Sequence, residues 1–543
     1  MSISADPPDR ELTLAAVLET RVARAGAADF ILAETGACML ADLHRRSDAL
    51  ARGLLGIGLK SGDTLLLMLP NCVEFIELWW AAARVGIVEV PVNTAYLGAL
   101  LTHVINDSGA DTIVLSMQFL DRVADLAGRL PALKRIVLLE PTAPPATLAP
   151  RWQVAPLADL YRDCLAALPP PPRERDLMAV MYTSGTTGPS KGVMVTHAHA
   201  YHYALACVDL LRLGPDDIYI GQLPLFHIAG QWAVVYASLI AGSRVALVPR
   251  FDAERFWQQC ARYGATTTFL LGAMAIALYR RPPSPDDSIT PLAKALIVPQ
   301  LPQMDDFARR FACAVTTTYG STEANVPVKA HFDLPNARVC GRARDELYEL
   351  RIVDAHDDEV PPGVAGELTV RAKRPWILMA GYWNHPEWTV TAWRNLWLHT
   401  GDAMMHDGAG NYYFVDRLKD AIRRKGENIS SMEVENEISA HPAVLECAVV
   451  PAKAADGEDE VFAIVVPRSG ARFDPADLVR FLAPRLPHFM VPRYVEIATS
   501  LPKTPTGKIQ KYSLRERGVT AATWDRVAAG LRLRDLVSKE RTA

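Results

Sequence analysis

Two apolar periods alternate along the chain. From Leu40-Ala41-Asp42-Leu43 to Leu55, apolar residues recur every three to four positions, the period of an amphipathic helix. Thr64-Leu65-Leu66-Leu67-Met68-Leu69 is instead a short unbroken apolar run, as expected of a strand covered on both faces. Asp111-Thr112-Ile113-Val114-Leu115, a helical stretch from about 119 to 130, and Arg135-Ile136-Val137-Leu138-Leu139 predict a strand–helix–strand unit. The strand signal returns at 244–248, 266–271 and 294–298. Short apolar strands spaced by helices predict an α/β fold of mostly parallel sheets flanked by helices.

A second, smaller α/β unit begins beyond Asp416-Arg417-Leu418-Lys419-Asp420. Ser430-Ser431-Met432-Glu433 has the form of a capping box, opening a helix that stops at His441-Pro442. Strands follow at 445–450 and 461–466, then a helix around 475–486. Pro169 to Pro172 form a stiff spacer inside the first unit, and no repeat of fixed period is evident.

Length and composition agree with this division. A chain of 543 residues is too long for one core, and 50% hydrophobic with 22% charged residues is the balance of a globular enzyme. A net charge of -4 offers no basic excess for a nucleic-acid partner. The eight cysteines are scattered without a CxxC pair, and the thirteen histidines form no zinc spacing. Both facts point to reduced thiols and a cytoplasmic location. The polar start of the chain does not read as a signal peptide, and the most apolar stretch, 78–92, is interrupted by Arg84 and Glu89, so no membrane span is expected.

The chemistry is concentrated in Tyr182-Thr183-Ser184-Gly185-Thr186-Thr187-Gly188-Pro189-Ser190-Lys191-Gly192-Val193. Small hydroxyl and glycine residues leave backbone N–H groups open to a polyanion, and Lys191 adds a compact positive charge. The apolar lead-in 178–182 predicts a strand delivering this loop, and 193–195 predict a strand leaving it. A plain flexible loop has similar composition, but not this strand–loop–Lys–strand setting. A Walker A loop is excluded, because Ser190 precedes the lysine where glycine is required.

The string resembles the signature loop of the adenylate-forming (AMP-binding) superfamily, in its acyl-CoA synthetase branch, and further blocks support the resemblance in order. Thr318-Tyr319-Gly320-Ser321-Thr322-Glu323 is similar to the family's Tyr-Gly-x-Thr-Glu motif and starts 135 residues beyond Thr183. The 366–371 stretch, Gly381-Tyr382-Trp383-Asn384 and Trp397-Leu398-His399-Thr400-Gly401-Asp402 match three consecutive blocks. Gly426-Glu427-Asn428-Ile429-Ser430 resembles the turn beside the pantetheine arm of CoA, and Leu501-Pro502-Lys503-Thr504-Pro505-Thr506-Gly507-Lys508-Ile509 the block of the catalytic lysine.

The resemblance implies ATP, Mg²⁺ and coenzyme A as cofactors and a small-molecule carboxylic acid as substrate, activated as acyl-AMP with loss of pyrophosphate. It implies phosphate contacts from Thr183, Ser184, Gly185, Thr186, Thr187 and Lys191, and an adenine site at Thr318, Tyr319, Gly320 and Thr322. Thr183 and Glu323 would hold the metal, Asp402 and Arg417 the ribose, and Lys425 and Gly426 CoA. Lys508 would serve adenylation, and His227 would gate the acyl pocket. It also implies a large N-terminal domain (1–416) with a small β-barrel-like part, a hinge (417–420) turning at Lys419, and a mobile α+β lid (421–543). Trp383 and Trp397 read as packing.

One block departs from the pattern. Where relatives carry a Gly-Gly-Ala or Gly-Ser-Ala step, this chain has Leu296-Ile297-Val298-Pro299-Gln300-Leu301-Pro302-Gln303, so an atypical acyl pocket is expected. Three readings stay open: a CoA ligase; an adenylating enzyme with an amine acceptor, or acting on another oxyanion such as nitrite; and a non-catalytic nucleotide binder, disfavoured by the joint presence of Lys508, Glu323 and Asp402. A homodimer is left open, and no carrier domain is expected beyond residue 543.

Overall fold

The run Thr64–Met68 lies near the centre of an eight-stranded sheet. The computed structural model describes residues 12–140, 151–162, 167–183, 190–301, 303–418, 422–424, 427–453, 459–503 and 509–533. Two compact units are present, one holding residues 12–183, 190–350 and 370–398, the other 351–369 and 399–533.

In the first unit, the eight-stranded sheet runs Gly381–Tyr382, Lys191–Thr196, Leu177–Thr183, Val88–Pro91, Thr64–Met68, Thr112–Leu115, Arg135–Leu138 and Gln153–Pro156. The strands from Leu177–Thr183 to Gln153–Pro156 are mutually parallel; Lys191–Thr196 and Gly381–Tyr382 are antiparallel additions at one edge. A seven-stranded sheet contains the predicted runs as Arg244–Leu247, Thr267–Leu271 and Lys294–Val298, parallel throughout except for the edge strand Gly36–Met39. The hairpin of Thr318–Ser321 with Asn325–Lys329, extended by Val339–Ala343, is antiparallel. The mostly parallel α/β class is therefore correct.

Helices cover these sheets for the reasons the pattern gave. Leu40–Gly56 buries Leu43, Leu50 and Leu54 along one stripe. Val73–Val85 is buried nearly all round and ends at Gly86, whose φ of 74° places it in the left-handed cap geometry that favours glycine. The expected helix over 119–130 is broken: Leu120–Ala124 is helical, with single 3₁₀ turns before and after it. Its entry is set by Glu140, whose carboxylate accepts from Ser116 Oγ at 2.6 Å and Met117 N at 2.7 Å, and Gly128 weakens its end.

In the second unit, Ser430 caps the helix Ser431–Ser439 by accepting from Glu433 N at 3.2 Å. Strands Val444–Lys453 and Asp459–Pro467 pair antiparallel and are followed by Tyr494–Ile497 and Trp524–Asp525. Alternate residues enter two cores: Cys447, Val449, Val461, Ala463 and Val465 on one face, Ala448, Val450, Phe462 and Ile464 on the other. The helix expected to reach 486 stops at Leu482, because Pro484 cannot continue it. Among the described residues no helix is long and apolar enough to cross a membrane, and no cluster of three or more His, Cys, Asp or Glu side chains is arranged for a metal. The seven described cysteines are free thiols; Cys164 lies outside the described residues.

The helix His197–Leu211 buries three of its own histidines, His197, His199 and His202. Burial lowers their pKa values to about 4, 4 and 3, with Arg344 and Arg374 adding to the effect at His202. They are neutral in the fold and protonate in the unfolded chain near the ordinary value, so their stabilising contribution is complete above about pH 6.5 and is lost as pH falls toward 4. Urea midpoints measured between pH 8 and 4.5 are expected to fall steeply below about pH 6.5, each histidine contributing up to about 1.4 kcal/mol per pH unit. In His202→Gln the slope should be shallower; an unchanged slope would show that other groups set the acid limit.

Candidate functional site

The phosphate-loop candidate is the connection of a two-stranded edge. Leu177–Thr183 and Lys191–Thr196 pair antiparallel, with Tyr182 opposite Gly192 and Thr183 opposite Lys191, so the hairpin delivers Thr183 and Lys191 side by side. Ser184, Gly185, Thr186 and Thr187 lie outside the described residues. Gly192 is required by packing: a Cβ there would lie 2.7 Å from Val180 Cγ1 and 3.1 Å from the Tyr182 ring.

Both limbs are fastened by the helix Gly98–Ser108 and the residues before it. Tyr96 Oη and Ser190 Oγ share a hydrogen bond at 3.1 Å, and His103 Nε2 donates to Ser190 O at 2.8 Å, so the serine preceding Lys191 is anchored through side chain and backbone. Tyr182 Oη donates to Asp107 Oδ2 at 2.5 Å, and burial with that carboxylate raises the phenol's pKa. Asp107 also accepts from Asn384 Nδ2 through its carbonyl at 2.7 Å and pairs with His385 at 3.2 Å.

Lys191 does not meet a carboxylate within the described residues. Its Nζ lies 4.7 Å from the Tyr382 ring centroid and 5.2 Å from that of Trp388, a cation held on two aromatic faces. Tyr382 reaches this place because Gly381–Tyr382 pairs with Val193 and Met194. Its hydroxyl donates to Glu323 Oε1 at 3.4 Å, and burial, reinforced by Glu323, raises its pKa. One aromatic residue thus carries Lys191 on its face and Glu323 on its hydroxyl.

Glu323 follows the strand Thr318–Ser321, and its carbonyl accepts from Met379 N at 3.0 Å. Thr318, Tyr319 and Thr322 are buried, and Gly320 permits a close backbone approach: a Cβ there would lie 2.4 Å from Asn325 O. Glu323 accepts one long hydrogen bond and otherwise offers its lone pairs, and Thr183 Oγ1 makes only a 3.5 Å contact with Lys191 O. Oxygen donors with spare lone pairs are what a hard divalent cation takes, so these two residues fit Mg²⁺.

A separate group lies in the second unit. Asp402 stands opposite Arg417 on paired strands, its Oδ1 3.3 Å from Arg417 Nε. The preceding turn is fixed by Glu367, which accepts from Gly401 N and from His399 Nδ1, each at 2.9 Å, while Thr400 Oγ1 donates to Leu368 O at 2.7 Å. Asp416 Oδ2 accepts from both Ser431 N and Ser431 Oγ at 2.6 Å, and Lys511 donates to that hydroxyl at 2.6 Å. Lys419, Lys425, Gly426 and Lys508 lie outside the described residues; Lys503 and Ile509 pair as a β-bridge on either side of 504–508.

His227 sits in a tight turn of the first unit, its Nδ1 accepting from Ala229 N at 3.1 Å. The departing segment 296–303 includes the strand Lys294–Val298, a cis Val298–Pro299 peptide, and Gln300 donating to Arg338 O at 2.9 Å. Trp383 packs against the core of the eight-stranded sheet and Trp397 under Arg371, as expected.

Comparison with known proteins shows the family. Residues 18–383 match the family model described as AMP-binding enzyme, and residues 433–508 the AMP-binding enzyme C-terminal domain. The chain belongs to the AMP-binding enzyme family. This AMP-binding enzyme is 32% identical over 487 residues to a crotonobetaine/carnitine–CoA ligase of Escherichia coli O17:K52:H18, covering 87% of this chain and 92% of the relative. Among solved structures, ATP-bound MatB from Rhodopseudomonas palustris superposes with a TM-score of 0.81 at 28% identity, covering 94% of this chain and 99% of that one. The amide bond synthetase McbA from Marinactinospora thermotolerans gives 0.77 at 26%, covering 92% and 99%.

Three features of this enzyme's site were not legible beforehand. Tyr382 was read only as part of a sequence block and Trp388 was not singled out, yet they carry Lys191; a lysine without a sequence-local carboxylate and two aromatics around a helix start were the available signal. Glu367 stood in a matching block without a role. The clamp through Tyr96 and His103 left no local pattern, because it joins residues about 90 positions apart.

The aromatic seat makes a distinction between two substitutions. Tyr382→Phe keeps a ring under Lys191 and removes only the bond to Glu323; Tyr382→Leu removes both. By calorimetry, Tyr382→Leu is expected to weaken ATP binding roughly tenfold, about 1.4 kcal/mol, and Tyr382→Phe by less than about threefold. Equal losses would show that the ring face does not hold Lys191 in place.

Proposed function

We propose that this enzyme is an ATP-dependent acyl-CoA synthetase: it converts a carboxylic acid to acyl-AMP with release of pyrophosphate, then passes the acyl group to coenzyme A. The observation that carries the reading is the placement of Lys191 and Glu323 on one tyrosine beside the hairpin connection. A cation for phosphate oxygens and a carboxylate for a metal are the two charges a nucleotide triphosphate needs, held apart by an aromatic ring so that neither neutralises the other. The CoA ligase name of the E. coli relative supports the acceptor.

A carboxylate is a poor electrophile, because resonance and charge repel a nucleophile; adenylation gives it a good leaving group. Lys191 and the hydroxyl-rich loop, Thr183, Ser184, Gly185, Thr186 and Thr187, would bind the β- and γ-phosphates, and Tyr319 with Gly320 would take the adenine ring. Mg²⁺, held by Glu323 and Thr183, would offset triphosphate charge when bound. Asp402, an acceptor for both ribose hydroxyls, and Arg417 beside it would select a nucleoside over bare phosphate. Lys508 would stabilise charge developing at the α-phosphate. Between half-reactions the lid (421–543) would turn about Lys419, withdrawing Lys508 from the catalytic domain (1–416) and bringing Lys425 and Gly426 to CoA. His227 would border the acyl pocket.

The likeness to an amide bond synthetase supports an amine acceptor as the second reading. Acid-dependent ATP–pyrophosphate exchange over a carboxylate panel, followed by AMP release with and without CoA, separates the two. The synthetase reading expects exchange with a defined acid and AMP release that requires CoA; exchange with turnover only on amines would replace it. Lys508→Ala is expected to lower exchange by at least about a hundredfold while sparing thioester formation from added acyl-AMP. Equal loss of both half-reactions would refute the division of labour.

A further inference from the structure

The turn that carries His227 is fastened on both sides by polar side chains, half-buried upstream and fully buried downstream. Upstream, Asn71 donates to Leu223 O at 3.0 Å and Val248 O at 3.2 Å, and accepts from Leu225 N at 2.9 Å. Downstream, the π-helical segment Ala229–Tyr236 presents Gln231 to Glu89, on the strand Val88–Pro91 of the eight-stranded sheet. Gln231 Nε2 donates to Glu89 Oε2 at 3.2 Å, and both residues are 0% exposed.

The remaining oxygens of the pair, Glu89 Oε1 and Gln231 Oε1, have no hydrogen-bond partner among the described residues. Glu89 lies in register with Leu65 on one neighbouring strand and Ala179 on the other. Burial raises its pKa well above the carboxylate range, the Gln231 hydrogen bond opposes this, and no cation pairs with it among the described residues. An ionised Glu89 would be a charge without a cation, beside an amide oxygen without a donor. A protonated carboxyl has one O–H, which is the single donor the two bare oxygens lack.

We propose that Glu89 is a neutral carboxylic acid in a reciprocal acid–amide pair with Gln231, and that this pair is a positioning element for His227. The inference rests on the reading of His227 as a residue of the acyl pocket. The path from the pair to the imidazole is short. Gln231 N and Gly230 N both donate to His227 O, at 3.1 and 3.0 Å, and Ala229 N donates to His227 Nδ1. His227 N in turn donates to Pro224 O at 3.1 Å. The turn has no slack: a Cβ on Gly230 would lie 2.2 Å from Pro224 O. Displacing Gln231 therefore moves the backbone that orients the ring. Glu89 touches neither nucleotide nor acid; it acts through Gln231.

The test uses the full-length protein at neutral pH. The infrared difference spectrum between wild type and Glu89→Gln is expected to show the carbonyl stretch of a protonated carboxyl, shifted in D₂O and absent from the variant; no such band would overturn the neutral acid. In Glu89→Leu, the His227 ring resonances should move and KM for the acid in pyrophosphate exchange should rise about three- to tenfold, with KM for ATP unchanged. Glu89→Gln, which restores a neutral two-bond pair, should return both. Unmoved His227 resonances in folded Glu89→Leu, or equal changes in both KM values, would overturn the positioning role. If Glu89→Leu does not fold, Gln231→Leu supplies the same readouts. Should wild type exchange no acid at all, the synthetase reading fails while the infrared and His227 signals still decide the pair.

Discussion

The role proposed for Lys191 requires a cation held in place without being neutralised, and its setting in the first unit meets that constraint. A carboxylate against Lys191 would compete with phosphate for the same charge. Two aromatic faces attract an ammonium through their quadrupoles and carry no net charge to be displaced. The choice has structural consequences. Tyr382 reaches Lys191 only because Gly381–Tyr382 adds to the edge of the hairpin, and Trp388 only because the helix Pro386–Ala392 starts just after it. Asp107 then holds both sides, bonded to Tyr182 of the hairpin and to Asn384 and His385 ahead of that helix. A β-edge, a short helix and a half-buried carboxylate together position one ammonium group.

The same unit tolerates an unusual load of buried polar groups, and its treatment of them is consistent. His197, His199 and His202 are kept neutral by desolvation, and Glu89 is pushed the same way. The low-dielectric interior thus suppresses charge at these four side chains. Charges placed in a quiet background are felt most strongly by a bound polyanion, since little competes with them over short range. The second unit solves a different problem. There Asp416, Lys511 and Glu435 form a charged network around Ser431, with Lys511 Nζ 2.8 Å from Glu435 and offsetting the effect of its burial.

Much of this was legible in sequence because the relevant signals are local. Unbroken apolar runs gave strands such as Lys294–Val298 to the residue, since a doubly covered strand needs nothing but apolar side chains and β-branching. The strand–loop–Lys–strand order of 178–195 fixed the hairpin, because loop length alone forces the two strands together. What failed was local helix length: 119–130 and 475–486 have helical periodicity, but a glycine and a proline cut each short. Long-range partners left no trace. Asp107 and Asn384 are 277 positions apart, and nothing in either neighbourhood announces the other. Glu89 was noticed only as an interruption in an apolar stretch; that its partner is an amide 142 positions on depends on how a parallel sheet is covered.

That last case bears on how specificity is built in such a fold. Beside Lys191, Ser190 is anchored by two groups without net charge in this role, the Tyr96 hydroxyl on its side chain and the His103 imidazole on its carbonyl. Around His227, the residue proposed to border the acyl pocket, the anchors are the amide of Asn71 and the Glu89–Gln231 pair, which are also free of net charge when the acid is protonated. In the proposed reading, an ionised Glu89 would add a buried negative charge behind a pocket whose substrate arrives as a carboxylate, in a medium that screens little. Neutrality there is therefore a requirement of the chemistry as well as a result of burial. The sheet that excludes water from Glu89 supplies the stiffness, and the protonated acid supplies a hydrogen bond without the charge.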